Sequence, residues 1–206
     1  MLSGSAKASE IMGRMTITAP EGDEARELPH RRWKNYPVAG IDYPDASPMS
    51  ANGRLAQHAV DALAGCLPSH VEVLAGIDVG GLGFAGALAY RSALGFFDVR
   101  KIESIKADVI RGIMANYDLG NGIAISKSMP IAGRSVAVLD DCLMTGGTAL
   151  AAAQLIRRLG GNCQTALFVF ELEGMGGRER LESAGLAVHS LQIVPRTEAT
   201  GESLVR

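Results

Sequence analysis

Two adjacent carboxylates, Asp140 and Asp141, stand between an apolar run and a turn of small residues. The run is Val136-Ala137-Val138-Leu139, the length and texture of a buried parallel strand. Cys142, Leu143 and Met144 follow the acids, then Thr145-Gly146-Gly147-Thr148, then a helix-forming stretch over 149–160. Glycines let the backbone approach closely and turn several N–H groups onto one anion. The start of the following helix adds a favourable dipole, so a phosphate can sit there. The two acids repel a phosphate, but they suit the vicinal hydroxyls of a sugar. A sugar phosphate held at both ends is the simplest ligand for this arrangement.

The elements that must position these groups can be read outward from the loop. An amphipathic helix is expected over 51–66, with Leu55, Ala59, Ala62, Leu63 and Cys66 on one face and Pro68 ending it. Residues 71–78 read as a core strand. A glycine-rich turn at 79–86 leads into a helix through Leu94, and 96–100 is the next strand. Residues 102–122 have no clean periodicity and are too long for a simple connection, so a mobile lid or a strand pair is expected. Short strands at 123–126, 164–172 and 187–194 and a helix at 178–184 complete the pattern. Strands alternating with helices predict an α/β fold with a doubly wound, mostly parallel sheet. Its ligands belong at the C-terminal edge of the strands. Residues 1–32 are poorly patterned, apart from a possible short strand at 15–18, and read as a mobile arm. Aromatics, prolines and a glycine at 33–49 predict an extended, sharply turned segment.

Composition narrows the function. The 206 residues suit one domain with a full core. Charges nearly balance, with 20 basic and 22 acidic side chains, and His30-Arg31-Arg32 with Lys34 is too short a cluster to suggest nucleic acid. Cys66, Cys142 and Cys163 have no metal-ligand spacing, and their odd number favours free thiols in a reducing cytoplasm. The polar start of the chain lacks the apolar core of a secretion signal. No apolar run approaches the ~20 residues that cross a bilayer, so no membrane partner is expected.

The acid pair and the Thr-Gly-Gly-Thr turn together resemble the phosphoribosyl-pyrophosphate (PRPP) motif of the type I phosphoribosyltransferases. The resemblance implies that Asp140 and Asp141 hold the ribose hydroxyls and that residues 142–148 wrap the 5′-phosphate. It makes Asp78, Val79, Gly80 and Gly81 the pyrophosphate loop, with Lys101 adding positive charge. Tyr36-Pro-x-x-Gly40-Ile-x-Tyr43-x-Asp45-x-x-Pro48 is similar to the N-terminal hood of the adenine enzymes, Phe-Pro-x-Pro-Gly-x-x-Phe-x-Asp-Ile-x-Pro. That match places Ile41, Asp42 and Tyr43 at a base pocket, and a hood at about 33–50 of a transferase domain covering 33–206. Val99-Arg100-Lys101, Asn116-Tyr117-x-Leu119, Phe170-Glu171-Leu172 and the stretch from Gly177 to Leu181 match the same family. Tyr117 and Asp118 then fall in its mobile loop. The segment 123–127 and the end of the chain also resemble xanthine phosphoribosyltransferases and a related purine-responsive repressor. The implied activity is transfer of a phosphoribosyl group from PRPP to a purine-type base, as in purine salvage. Magnesium would be bound through PRPP and water rather than through protein ligands, and the implied assembly is a homodimer.

The chain departs from the adenine pattern in several places. Gly80 and Pro44 stand where adenine enzymes carry arginines, Gly120 stands where they carry a glutamate, and Asp42 replaces an apolar contact to the base. A carboxylate at the pocket wall would favour a guanine-like edge, which offers two N–H donors, over adenine. Adenine is therefore expected to be a poor acceptor, unless Asp42 turns away from the base to solvent or to cap a turn. Two further classes remain open: a regulatory protein that keeps the PRPP site without catalysis, and a dinucleotide binder using Gly81-x-Gly83-x-x-Gly86 with Asp98. The second leaves the 140–148 loop unexplained.

Overall fold

Alternation of side chains along the central strands divides the apolar residues between two faces of one sheet. The computed structural model describes residues 27–102, 109–113 and 122–197. In chain order the elements are β1 (Arg31–Trp33), β2 (Tyr43–Asp45), α1 (Ser47–Ser50), α2 (Gly53–Cys66), β3 (Val73–Ile77), α3 (Gly80–Ser92) and β4 (Gly95–Ile102). Then come β5 (Val109–Ile113), β6 (Gly122–Ser126), β7 (Ser135–Leu143), α4 (Gly147–Arg158), β8 (Asn162–Leu172), α5 (Gly177–Ser183) and β9 (Ala187–Val194). Seven strands form the main sheet in the order β5-β6-β4-β3-β7-β8-β9. The five from β4 to β9 are parallel, while β6 runs antiparallel to β4 and to β5. This is the expected α/β fold with a mostly parallel sheet; within 102–122 the described residues 109–113 form β5, which pairs with β6, the strand expected at 123–126.

Val73, Ala75, Val136 and Val138 point into one apolar cluster, with Ala152, Leu155 and Ile156 of α4 and Leu181 of α5. Leu74, Ala137, Leu139 and Leu167 point into the other, with Ala59 and Leu63 of α2 and Phe84 and Leu88 of α3. Helices therefore cover both faces. The α2 face holds Val60 as well as the expected Ala59 and Leu63. Its first turn is capped by Asn52, whose Oδ1 accepts from the N–H groups of Arg54 and Leu55 at 3.1 and 3.2 Å.

The chain leaves β3 to build β4 on one side, then returns to lay β7 on the other. The connections diverge between β3 and β7, and that divergence opens a crevice at their C-terminal ends. The 78–81 loop follows β3, and the acid pair lies at the end of β7. β7 continues through the acids to Leu143, because Asp140, Cys142 and Leu143 still pair with Phe168, Phe170 and Glu171 of β8.

The hood is a small antiparallel hairpin of β1 and β2, with Arg31 opposite Asp45 and Trp33 opposite Tyr43. It begins two residues earlier than the aromatic segment suggested. Arg31 forms an ion pair with Asp45 at 2.6 Å. The guanidinium of Arg32 donates to the carbonyls of Asp42 and Pro195 at 2.8 and 2.9 Å, and the Asp42 N–H donates to the Arg196 carbonyl at 2.9 Å. These bonds fasten the hood to the end of β9. The short strand expected at 15–18 lies outside the described residues, as do Asn116, Tyr117, Asp118, Leu119 and Gly120.

Candidate active site

A cleft of about 590 Å³ opens at the β3–β7 divergence, under the hood. All nine residues from Asp140 to Thr148 line it. Val79, Gly80 and Lys101 face them from the β3 and β4 side, and Trp33, Tyr36, Pro37, Tyr43, Asp45 and Ser47 close it from the hood. The acids and the small-residue turn thus share one cavity with Val79 and Gly80, some sixty residues away in sequence.

The turn is shaped by its glycines. Gly146 takes φ +72°, left-handed backbone that favours glycine, and caps α4. A methyl on Gly146 would also lie 2.8 Å from the Gly177 carbonyl oxygen. Gly177 opens α5 so close to the turn that a methyl there would lie 2.1 Å from the Met144 carbonyl oxygen and 3.0 Å from the Gly146 nitrogen. The start of α5 is therefore a backstop for the turn. It is anchored by Arg178, which donates to Glu171 (3.0 Å from Nε) and to the Val188 carbonyl at 2.9 Å, while Ser190 donates to the same Glu171 carboxylate. The chain matches at 170–172 and 177–181 were legible; that they brace the turn was not. Leu143 contributes backbone here, since its side chain is buried in the core.

The acids sit in contrasting settings. Asp140 is buried, and its Oδ1 accepts the Asp141 N–H at 2.9 Å. Burial first, and the Asp141 charge second, hold its carboxyl well above the usual carboxylate range, while the charge of Lys101 opposes this. Gly81 packs directly beneath it: a methyl there would fall 2.4 Å from the Leu139 carbonyl oxygen and 2.8 Å from the Asp140 Cα. Asp141 accepts a hydrogen bond from the Tyr43 hydroxyl at 2.8 Å. Burial also pushes the Cys142 thiol up, so it is a neutral wall residue.

Not every expected residue lines the cleft. Asp78 and Gly81 do not: the Asp78 N–H bonds to the Val99 carbonyl at 2.9 Å, and Gly81 is covered by β7. In the hood, Tyr43 lines the cleft, whereas Ile41 lines a neighbouring groove of about 520 Å³ with Val38, Gly40, Thr145, Met175 and Arg196. Asp42 lines neither. It is buried within the hood, and its carboxylate accepts the Asn35 N–H at 3.2 Å, stabilising a turn in which Asn35 has φ +54°. Asp42 therefore stands apart from the cleft lining, with its carboxylate on the backbone of the hairpin turn.

The structure adds an aromatic wall. Trp33 and Tyr43 stack at 6.0 Å between ring centroids, and Tyr36 meets them edge-on at 5.3 and 5.7 Å. Trp33 and Tyr36 are notably exposed for such large rings. Such a face suits a flat, aromatic ligand. The Trp33 and Tyr36 spacing was visible in the sequence, but the ring contacts depend on the β1–β2 register.

The Gly81-x-Gly83-x-x-Gly86 spacing lies within α3, starting at its second residue, in a helix that packs against β3 and β7. Asp98 forms an ion pair with Arg100. Among the described residues, no helix is long and apolar enough to cross a membrane.

Comparison with known proteins agrees with this geometry. The family model for the phosphoribosyl transferase domain matches residues 49–184. An adenine phosphoribosyltransferase of Erythrobacter litoralis is 36% identical over 166 residues, covering 76% of this chain and 89% of that protein. One from Brucella ovis is 33% identical over 181 residues, covering 82% and 91%. The crystal structure of the adenine phosphoribosyltransferase from Thermoanaerobacter pseudethanolicus superposes with a TM-score of 0.73 at 29% identity, covering 80% of this chain and 95% of that one. The Saccharomyces cerevisiae enzyme, complexed with adenine and an imino-altritol bisphosphate, gives 0.71 at 30% identity, covering 81% and 97%. The chain therefore belongs to the phosphoribosyl transferase domain family and is a phosphoribosyltransferase.

Proposed function

We propose that this chain transfers the 5-phosphoribosyl group of PRPP to a purine base, releasing pyrophosphate, and that adenine is its acceptor. The observation that carries the reading is the shared cleft: the acid pair, the 145–148 turn, Val79, Gly80 and Lys101 face one cavity under an aromatic wall. The relatives named for adenine transfer supply the base. The sequence objection to adenine rested most directly on Asp42, and that residue lies outside the cleft lining with its carboxylate accepting the Asn35 N–H.

Each group has a task. The 5′-phosphate is held by backbone N–H groups of the 145–148 turn at the start of α4. Asp140 and Asp141 accept from the ribose hydroxyls. The leaving diphosphate lies along Val79 and Gly80 at the start of α3, with Lys101 neutralising charge that develops as the anomeric C–N bond forms and the C–O bond breaks. The base stacks on the hood rings, which orients its nitrogen toward the anomeric carbon and excludes water from that face. The cleft fits magnesium carried by the substrate: Asp140 and Asp141 line it beside the ribose site, and the ion would be held through PRPP oxygens and water. When bound, that ion would offset the negative charge of the diphosphate. Family membership also supports a cytoplasmic homodimer.

The test is a base screen. Wild-type protein with PRPP and magnesium is offered adenine, guanine, hypoxanthine and xanthine, and pyrophosphate release is followed. Release with adenine at the highest kcat/KM is expected, with Asp42→Val leaving the ranking of bases unchanged. Preference for an oxo-purine, or a ranking that shifts in Asp42→Val, would overturn the adenine assignment.

A further inference from the structure

The Tyr43 hydroxyl has no role in stacking, yet it reaches across the cleft from the hood to Asp141 Oδ2 at 2.8 Å. The Asp141 carboxylate in turn occupies the space above Gly80. A methyl on Gly80 would lie 2.2 Å from the Asp141 Cγ and 2.3 and 2.5 Å from its two oxygens. Any side chain at position 80 would therefore displace the carboxylate from this position. Tyr43, where the hood pattern of the adenine enzymes has phenylalanine, and Gly80, where they carry arginine, meet on this one acid.

We propose that Tyr43 is a positioning residue for PRPP: its hydroxyl holds the Asp141 carboxylate in the niche above Gly80, tying the base-side hood to the ribose-binding acid. The proposal rests on the PRPP reading of the 140–148 loop. A carboxylate has lone pairs for about four hydrogen bonds, so one bond to Tyr43 leaves acceptor capacity for ribose hydroxyls. Tyr43 is itself fixed, by stacking on Trp33 at 6.0 Å and by the β1–β2 ladder. Burial first, and the Asp141 charge second, keep its phenol protonated and able to donate. The hood thereby orients Asp141 before substrate arrives, and ordering that acid no longer opposes binding.

The variant Tyr43→Phe removes the hydroxyl and keeps the ring. PRPP binding with magnesium is measured by calorimetry on the full chain for wild type, Tyr43→Phe, Asp141→Asn and the double variant, with thermal melting of each as a folding control. Wild type must bind PRPP; if it does not, the transferase reading itself fails. Given binding, Tyr43→Phe should weaken PRPP about tenfold, the loss expected when one hydrogen bond to a charged acceptor is removed. Its KM for the base should stay near the wild-type value at saturating PRPP. In the Asp141→Asn background the same change should have little further effect. Unchanged or tighter PRPP binding in Tyr43→Phe would overturn the proposal. So would an equal loss in the Asp141→Asn background, because Tyr43 would then act through the hood and not through the carboxylate.

Discussion

Gly177→Ala is a small change outside the cleft lining, and its effect follows from one close approach. A methyl at 177 would lie 2.1 Å from the Met144 carbonyl oxygen, 2.8 Å from Leu143 Cδ1 and 3.0 Å from the Gly146 nitrogen. Two of these three neighbours are backbone, and the third is a leucine buried in the core, so none can yield by swinging a flexible side chain. The turn must retreat by roughly 1 Å to restore ordinary contact. Overpacking of this kind costs about 1–3 kcal/mol. For a domain of this size each kcal/mol lowers Tm by about 2–4 °C, so a fall of about 2–12 °C is expected. Helix propensity pushes the other way, since alanine is preferred to glycine by ~0.5–1 kcal/mol in a helix. A loss of stability therefore reports the contact and not the helix. Displacing binding groups by about 1 Å can cost up to ~100-fold, so PRPP affinity should fall at least tenfold. Calorimetry and thermal melting of the same preparation supply both numbers. An unchanged Tm with unchanged PRPP affinity would refute the idea that the start of α5 braces the phosphate turn.

Two further predictions concern charge and ligand. Asp140 is buried with its carboxyl held above the ordinary value of 3.8, by burial first and Asp141 second. The folded state then binds more protons than the unfolded chain from pH 3.8 upward, so ligand-free stability falls as pH rises through the folded value. Asp140→Asn escapes that loss. Its ligand-free Tm should exceed the wild-type value at neutral pH, with the gap closing as pH falls toward 3.8; a variant less stable than wild type at neutral pH would contradict this. Ribose 5-phosphate at 100 times its Kd should stabilise the wild-type fold by about 2.7 kcal/mol through mass action, and NAD should not. Protection by NAD alone would favour a dinucleotide reading of the 81–86 glycines.

Much of the parallel sheet was legible because its strands are continuous apolar runs next to helices with clear faces. β9 was read at its observed bounds, and α4 and β8 within two residues. The acid pair and its turn were legible because that chemistry needs specific residue types in a fixed order along one segment. The hood hairpin was not, since three-residue strands carry no period and their pairing depends on contacts such as Arg31 with Asp45. The Asp42 hydrogen bond was hidden for the same reason: position in a motif says where a residue sits, but not which backbone N–H its side chain accepts. The contributions of Trp33, Tyr36 and Phe168 to the cleft, and of Gly177 to the turn, come from segments distant in sequence. No local pattern announces them.

The central claim is that Asp140 and Asp141 grip the ribose of PRPP in a transferring enzyme. The most direct test is calorimetric titration of PRPP with magnesium into wild type and into the Asp140→Asn, Asp141→Asn double variant, paired with pyrophosphate release in the presence of adenine. Amides keep the shape but weaken acceptors whose hydrogen bonds are worth about 1.5–3 kcal/mol each when charged. The account predicts tight binding and release by wild type, and a folded double variant with PRPP affinity reduced at least tenfold and release lost. A folded double variant that binds PRPP as wild type does would contradict it.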